Sequence, residues 1–245
     1  MRIVAIIQAR MGSSRLPGKI LEPLAGKTVL QRVIERVAAS GAFDQVVVAT
    51  TVRPIDDIAA ERAAQYGATV VRGDEDDVLS RYGLAASASN ADAIMRITAD
   101  CPLIDPDVLA AMVRRFGAGD ADLVSNSVRR SFPRGLDAEL FSRAALDIML
   151  AEATTDPQRE HVTPFLYAHP ERFRIVSYVW PEDLSDYRLT LDTPEDFDLL
   201  DRIFNATPNP DAIRLAEVVA LLQAHPDWCS INAHIEQKKI QGESE

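Results

Sequence analysis

The stretch "IIQARMGSSRLPGKIL", residues 6–21, sets Arg10, Arg15 and Lys19 around the small residues Gly12, Ser13 and Ser14, directly after the β-branched run Ile3–Ile7. Guanidinium and ammonium groups on one loop suit a polyphosphate, by forked hydrogen bonds and by point charge, and small residues let backbone N–H groups come close to a ligand. A solvated loop whose arginines pair with nearby acids would show the same residue types. Two acids stand in comparable places, Asp100 in "TADCPLI" and Asp192 in "LTLDTPED", each at the end of a strand-like run. Asp192 has a second reading as part of a helix start, with Thr193 as N-cap, Pro194 in the first position and acids in the opening turn.

Familiar phosphate motifs do not account for the loop. Five residues separate Gly12 from Gly18, a proline lies among them, and Ile20 follows Lys19, so the Walker pattern fails. Gly26–Lys27–Thr28 has the right tail but no glycine five residues earlier, and the G-x-G-x-x-G dinucleotide fingerprint is absent.

The elements that must position these residues alternate. Strand-like Ile3–Gln8, "QVVVATTV", "ATVVRG", "AIMRITAD" and "ADLVSN" are separated by helix-like "TVLQRVIERVAASG", "PIDDIAAERAAQYG", "DDVLSRYGLAASA" and "DPDVLAAMVRRFG". In the last of these Asp105 is the expected N-cap and Pro106 opens the first turn. Such alternation predicts an α/β fold, an open parallel sheet with helices on both faces, whose ligands sit at the carboxyl ends of the strands. After residue 127 the pattern changes. "RAALDIMLAEAT" reads as a helix, "RFRIVSYVW" and "YRLTLD" as strands, and "PEDFDLLDRIFNA" and "DAIRLAEVVALLQA" as helices. One domain over 1–245 is expected, with a smaller acceptor or dimerisation lobe around 127–190 and a frayed tail from about 236.

The chain of 245 residues carries a formal net charge of −11, with 37 acidic against 26 basic side chains. Nucleic acid and anionic membrane surfaces should therefore repel it, which leaves a small anion as the natural partner of the basic loop. Two cysteines far apart make neither a disulfide framework nor a zinc pair, and the first apolar run is too short for a signal peptide or a membrane span. A cytoplasmic setting is expected. Cys101 reads as a small buried filler, no partner base being legible.

Taken together, "IIQARMGSSRLPGKIL", "VVVATT", "RGDEDDVLSRY", "IMRITADCPLIDPDVL", "FPRGLDAELFS", "REHVTPFLY" and "YRLTLDTPEDF" resemble, in this order, segments of the cytidylyltransferases that activate acidic sugars. Acylneuraminate and ketodeoxyoctulosonate CMP-sugar synthetases belong to that group. The resemblance is closest to its SpsF-type branch, named for a spore-coat polysaccharide biosynthesis protein, and covers most of residues 1–205. It implies a GT-A-like nucleotide-diphospho-sugar transferase fold with a mostly parallel mixed sheet. The implied reaction joins CTP to an acidic sugar or related acceptor, with Mg²⁺, giving a CMP-sugar and pyrophosphate for surface polysaccharide. A homodimer is implied as well. Arg10, Gly12, Ser13, Ser14, Arg15 and Lys19 would hold the triphosphate, Arg15, Lys19 and Asp100 would be catalytic, and Asp100 and Asp192 would bind the metal. Arg72, Gly73, Asp77, Arg81 and Arg96 match segments near base and ribose, although Asp77 and Arg81, four apart on a helix, could equally form a surface ion pair. Arg134 and Glu139 are candidates for the acceptor side, in a stretch that reads equally as an exposed strand. His161 in "REHVTPFLY" is either a helix-start residue or a site residue. Use of another nucleotide or a sugar phosphate, or a non-catalytic nucleotide-binding module, stays open at this point.

Overall fold

The computed structural model describes residues 1–236, so the tail expected to fray from about 236 lies, beyond that residue, outside the described part. At its centre is Ile3–Gln8 (β1), whose alternation places Ile3, Ala5 and Ile7 in one hydrophobic core and Val4 and Ile6 in another. Successive side chains of a strand point to opposite faces, so a run apolar at every position has both faces covered.

A short hairpin, Pro23–Leu24 (β2) with Lys27–Thr28 (β3), stands apart from the main sheet. The main sheet adds Gln45–Thr51 (β4), Thr69–Gly73 (β5), Ala93–Thr98 (β6), Leu123–Ser125 (β7), Glu139–Ser142 (β8) and Ile175–Ser177 (β9), in the order β5-β4-β1-β6-β8-β7-β9. Strands β5, β4, β1 and β6 pair in parallel, β8 runs antiparallel to both β6 and β7, and β9 is parallel to β7. The first core packs Val29–Ala39 (α1), Asp57–Gln65 (α2), Pro106–Phe116 (α4), Pro194–Asn205 (α8) and Leu215–Ala224 (α9) on one face; Val78–Ala88 (α3), Arg143–Glu152 (α5) and Pro164–Ala168 (α7) cover the other. Asp156–His161 (α6) precedes α7, and Pro226–Cys229 (α10) follows α9.

The helix starts have local causes. Asp105 Oδ1 accepts the N–H groups of Asp107 and Val108 at 2.8 and 3.2 Å ahead of Pro106. Thr193 accepts from Asp196 N–H while the Asp196 carboxylate accepts from Thr193 N–H, a reciprocal box that satisfies two donors the first turn would leave open.

Two expected elements differ. "YRLTLD" is not a strand: it is extended, but it joins the rest by a single bridge between Arg188 and Arg134 and by Leu191 N–H on the Asp100 carbonyl at 2.9 Å. The last long helix begins only at Leu215; before it Asp211, which pairs with Lys27 and Arg32, lies in a turn in which Ala212 N–H donates to Asn209 O at 3.1 Å. Residues 127–190 contribute β8 and β9 to the main sheet and Phe132 to its first core. Among the described residues no helix is long and apolar enough to cross a membrane.

From β1 the chain proceeds to β4 and β5 on one side, while β6 lies on the other. The order reverses at β1, and the crevice beyond the carboxyl ends of β1 and β6 is where such sheets place ligands.

Candidate active site

That crevice is an open cleft of about 1130 Å³ counting its mouth, lined by the loop after β1, the end of β6, the start of α3, the end of α6 and Asp192. The loop folds over one carbonyl: Ser13 N–H and Gly18 N–H both donate to Met11 O, at 2.9 and 3.0 Å. Met11 N–H is itself anchored to Asp56 Oδ1 at 2.6 Å. Gly18, at φ 75°, takes the left-handed conformation that side chains disfavour and turns the chain into a single 3₁₀ turn, Lys19–Leu21. That turn carries Lys19 inward.

Lys19 is 8% exposed. Its ammonium donates to Asp100 Oδ2 at 2.6 Å, to the Leu191 carbonyl at 2.7 Å and to Asp192 Oδ1 at 2.8 Å. Burial acts to lower its pKa, and Asp100 followed by Asp192 outweighs it, so the group is held above its ordinary value. Burial likewise acts to raise the Asp100 carboxyl, but Lys19 and the Thr98 hydroxyl hold it below its ordinary value. Asp192 Oδ2 is shared by Arg15 at 2.9 Å and Arg188 at 3.0 Å, and Arg188 continues to Asp196 at 2.8 Å. Arg10 lies at the mouth, 3.9 Å from Glu160.

Of the residues singled out from sequence, the cleft gathers Arg10, Gly12, Ser13, Ser14, Arg15, Lys19, Arg81, Asp100 and Asp192, together with His161. Thr193 takes the cap role as expected, yet Asp192 is held by cations on both oxygens. Asp77 and Arg81 do not pair. Asp77 caps α3 and pairs with Arg159, while Arg81, 2% exposed, donates to the carbonyls of Asp74 and Glu75 and keeps a buried Nε without a partner.

The remaining candidates lie outside the cleft lining. Arg72 reaches the carbonyls of Thr51 and Arg53 and the Asp57 carboxylate. Gly73 leaves room for Arg81, whose Cγ would lie 3.0 Å from any added Cβ. Buried Glu139 pairs at 2.6 Å with the partly buried Arg96 and also accepts from Thr163 and Tyr167, so this stretch is not an exposed strand. Burial pulls the Arg96 pKa down and Glu139 more than offsets it. Arg134 borders a separate open pocket of about 540 Å³ counting its mouth, with Tyr187, Leu189 and Asn232. Cys101 is buried, and burial pushes its thiol well above the ordinary value, which makes it a poor nucleophile.

Sequence reasoning missed Gln8, Thr98 and Glu160 in the lining, and Arg188 behind it. Arg188, Asp192 and Asp196 recur at four-residue spacing, a signal present in the sequence, but it straddles a presumed strand and a helix start.

The two carboxylates offer only oxygen, the donor that Mg²⁺ takes, and both lie within hydrogen-bond reach of one ammonium nitrogen. Among the described residues no group of three or more His, Cys, Asp or Glu side chains gathers around a possible metal position. The pair therefore fits an ion that takes few protein ligands and fills its shell with phosphate oxygens and water.

The cleft at the reversal point, rimmed by a basic loop and two carboxylates, lies in an α/β protein of the nucleotide-diphospho-sugar transferase fold. A structure with that fold is CMP:2-keto-3-deoxy-manno-octonic acid synthetase complexed with CTP, TM-score 0.67, at 18% identity over 84% of this chain and 99% of that one. The family model described as cytidylyltransferase matches residues 4–240, and the chain belongs to that family. It is 34% identical to the spore coat polysaccharide biosynthesis protein SpsF of Bacillus subtilis, over 92% of this chain and 95% of that protein. Identity to the 3-deoxy-manno-octulosonate cytidylyltransferase of Solibacter usitatus is 29%, over 84% and 96%. A solved cytidylyltransferase from Leptospira borgpetersenii superposes with a TM-score of 0.90 at 35% identity, covering 98% of this chain and all of that one.

Proposed function

We propose that the cleft binds CTP with Mg²⁺ and transfers the cytidylyl group to an acidic sugar or sugar-like acceptor, giving a CMP-sugar and pyrophosphate for surface polysaccharide synthesis. The observation that carries this reading is the convergence of Arg10, Arg15 and Lys19 with Asp100 and Asp192 in one cleft of a cytidylyltransferase chain. The likeness to SpsF supports the polysaccharide setting, and the likeness to octulosonate cytidylyltransferases supports an acidic acceptor.

In this reading Arg10, Arg15 and Lys19 neutralise the triphosphate, and the Gly12–Ser14 stretch lies against it. Asp100 and Asp192 would hold the Mg²⁺, which when bound supplies Lewis-acid withdrawal of charge from the phosphate oxygens. The acceptor hydroxyl oxygen bonds to the α-phosphorus as the bond from that phosphorus to the oxygen bridging the α- and β-phosphates breaks; pyrophosphate leaves with that electron pair and the hydroxyl proton passes to solvent. The protein's task is position and charge, since such transfers ask little covalent chemistry of side chains. Arg81, which lines the cleft, is assigned to the nucleotide. A homodimer in the cytoplasm completes the reading, and sedimentation of the purified chain tests the dimer.

Pyrophosphate release from CTP and Mg²⁺ with a panel of acidic sugars tests the function. Release dependent on one acidic sugar is the expected result. Release only with neutral sugars, or only with another nucleotide, would contradict it.

A further inference from the structure

Every carboxylate oxygen assigned to the metal already has a donor. Lys19 uses its three N–H bonds on Asp100 Oδ2, the Leu191 carbonyl and Asp192 Oδ1. Thr98 donates to Asp100 Oδ1 at 2.6 Å, and Arg15 and Arg188 share Asp192 Oδ2. Arg188 in turn pairs with Asp196. Among the described residues, these ion pairs join the three cations Lys19, Arg15 and Arg188 to the three carboxylates Asp100, Asp192 and Asp196.

An ammonium group only donates, so it cannot share an oxygen position with a metal ion as a water can. A divalent ion arriving alone would have to expel Lys19 from a mostly buried place, or sit against its charge where water screens poorly. Among the described residues Lys19 pairs with no carboxylate besides Asp100 and Asp192, and Arg15 with none besides Asp192. A nucleotide triphosphate supplies one, with several negative charges and many acceptor oxygens. The four-carbon stem of Lys19 is flexible, and the ammonium is a compact point charge suited to phosphate.

We propose that Lys19 is a resident cation that makes divalent-metal binding contingent on the nucleotide. With no nucleotide, Lys19 holds Asp100 and Asp192 together and keeps the metal out. When the triphosphate arrives, Lys19 and Arg15 transfer to it and Asp100 Oδ2 and Asp192 Oδ1 become available, while Thr98 stays on Asp100 Oδ1 and Arg188 on Asp192 Oδ2. Linkage is reciprocal, so the metal tightens nucleotide binding by the same factor. This inference rests on the reading of Asp100 and Asp192 as metal-facing carboxylates.

The test is Mn²⁺ alone, titrated by the electron paramagnetic resonance of the free ion onto the full wild-type chain and onto Lys19→Met, which keeps the stem and deletes the charge. Roughly tenfold or tighter binding by the variant is expected, within the ordinary range of coupling between sites. Equal affinities would overturn the role of Lys19. A wild-type measurement stands beside it in case the variant does not fold. The chain has only four lysines, Lys19, Lys27, Lys238 and Lys239, so the ¹⁵Nζ resonance of Lys19 can be assigned. That resonance should stay in place on adding Mg²⁺ alone and move on adding CTP with Mg²⁺; movement with Mg²⁺ alone would overturn the proposal. Calorimetry of CTP with Mg²⁺ on the wild type separates the two readings. Absence of CTP binding there would remove the nucleotide assignment, whereas equal Mn²⁺ affinities with CTP binding intact would remove only the part given to Lys19.

Discussion

Asp100 is tied to Lys19 and Thr98 and touches the cleft, so its removal separates chemistry from folding. Asp100→Asn keeps the shape and an acceptor oxygen while deleting the charge. Turnover should fall by roughly a hundredfold or more, the scale of losing one electrostatic contact to the reacting phosphates, with the circular dichroism of the wild type retained. Near wild-type turnover at saturating Mg²⁺ would remove Asp100 from the reaction. The same bridge sets a pH window. The Asp100 pKa is depressed on folding, so its contribution is present above the unfolded value of 3.8 and lost as pH falls through the lower folded value. The Lys19 pKa is raised, so its contribution is present below 10.5 and lost as pH rises through the higher folded value. The stability gap between wild type and Asp100→Asn, measured by thermal unfolding, should therefore be flat from about pH 5 to about pH 9 and shrink in stronger acid. A gap that closes near neutrality would mean that the Lys19–Asp100 pair is not what the substitution breaks.

Elements, rather than single residues, bring Asp192 across to Asp100, and here a glycine matters. Gly135 has φ 99°, and a Cβ on it would fall 2.4 Å from the Leu189 carbonyl carbon and 2.5 Å from Thr190 N. The "PRG" turn therefore lies flat on the extended segment that carries Asp192. Gly135→Ala should cost at least the ~1–2 kcal/mol of a left-handed conformation, plus the backbone clash, and should weaken nucleotide binding by displacing that segment. Unchanged denaturant stability would show that the two segments can separate freely. Glu139 holds Arg96, Thr163 and Tyr167 at the β6–β8 junction, so Glu139→Ala leaves a partly buried guanidinium uncompensated and should cost about 3 kcal/mol or more in urea unfolding. A cost below about 1 kcal/mol, the scale of an exposed pair, would contradict that burial. Helix caps at Asp105 and Thr193, and the strands β1, β4, β5 and β6, were legible in the sequence because their causes are local: N-cap oxygens, proline after the cap and continuous β-branched runs. "YRLTLD" has the composition of a strand, but its partners are a loop and a strand end, which local pattern does not report.

For the whole molecule, the basic loop, Asp100 and Asp192 were legible as a set through the family resemblance, whereas their mutual contacts were not. Arg72, Arg96 and Glu139 carry charge at suggestive places in the sequence, yet the fold commits them to partners away from the cleft lining, and nothing in their spacing tells which partner each will find. Asp77 and Arg81 show the same limit, since helical spacing allowed a pair and the fold gave each a different partner. A chain of formal charge −11 that binds a polyphosphate must do so through its local field, so nucleotide affinity should weaken with added salt as screening cuts the reach of the loop's cations. Insensitivity to salt between low and physiological ionic strength would place the phosphates elsewhere.

Thermal unfolding of the full chain with Mg²⁺ and each of CTP, UTP, ATP and GTP in turn tests whether the cleft takes CTP. A ligand bound only to the folded state at about a hundred times its dissociation constant adds about 2.7 kcal/mol, a clear rise in melting temperature. That rise is expected with CTP, a lesser one with the other nucleotides, and its loss in Arg15→Ala. Stabilisation by another nucleotide and not by CTP, or a CTP response that Arg15→Ala leaves intact, would contradict CTP binding in the cleft.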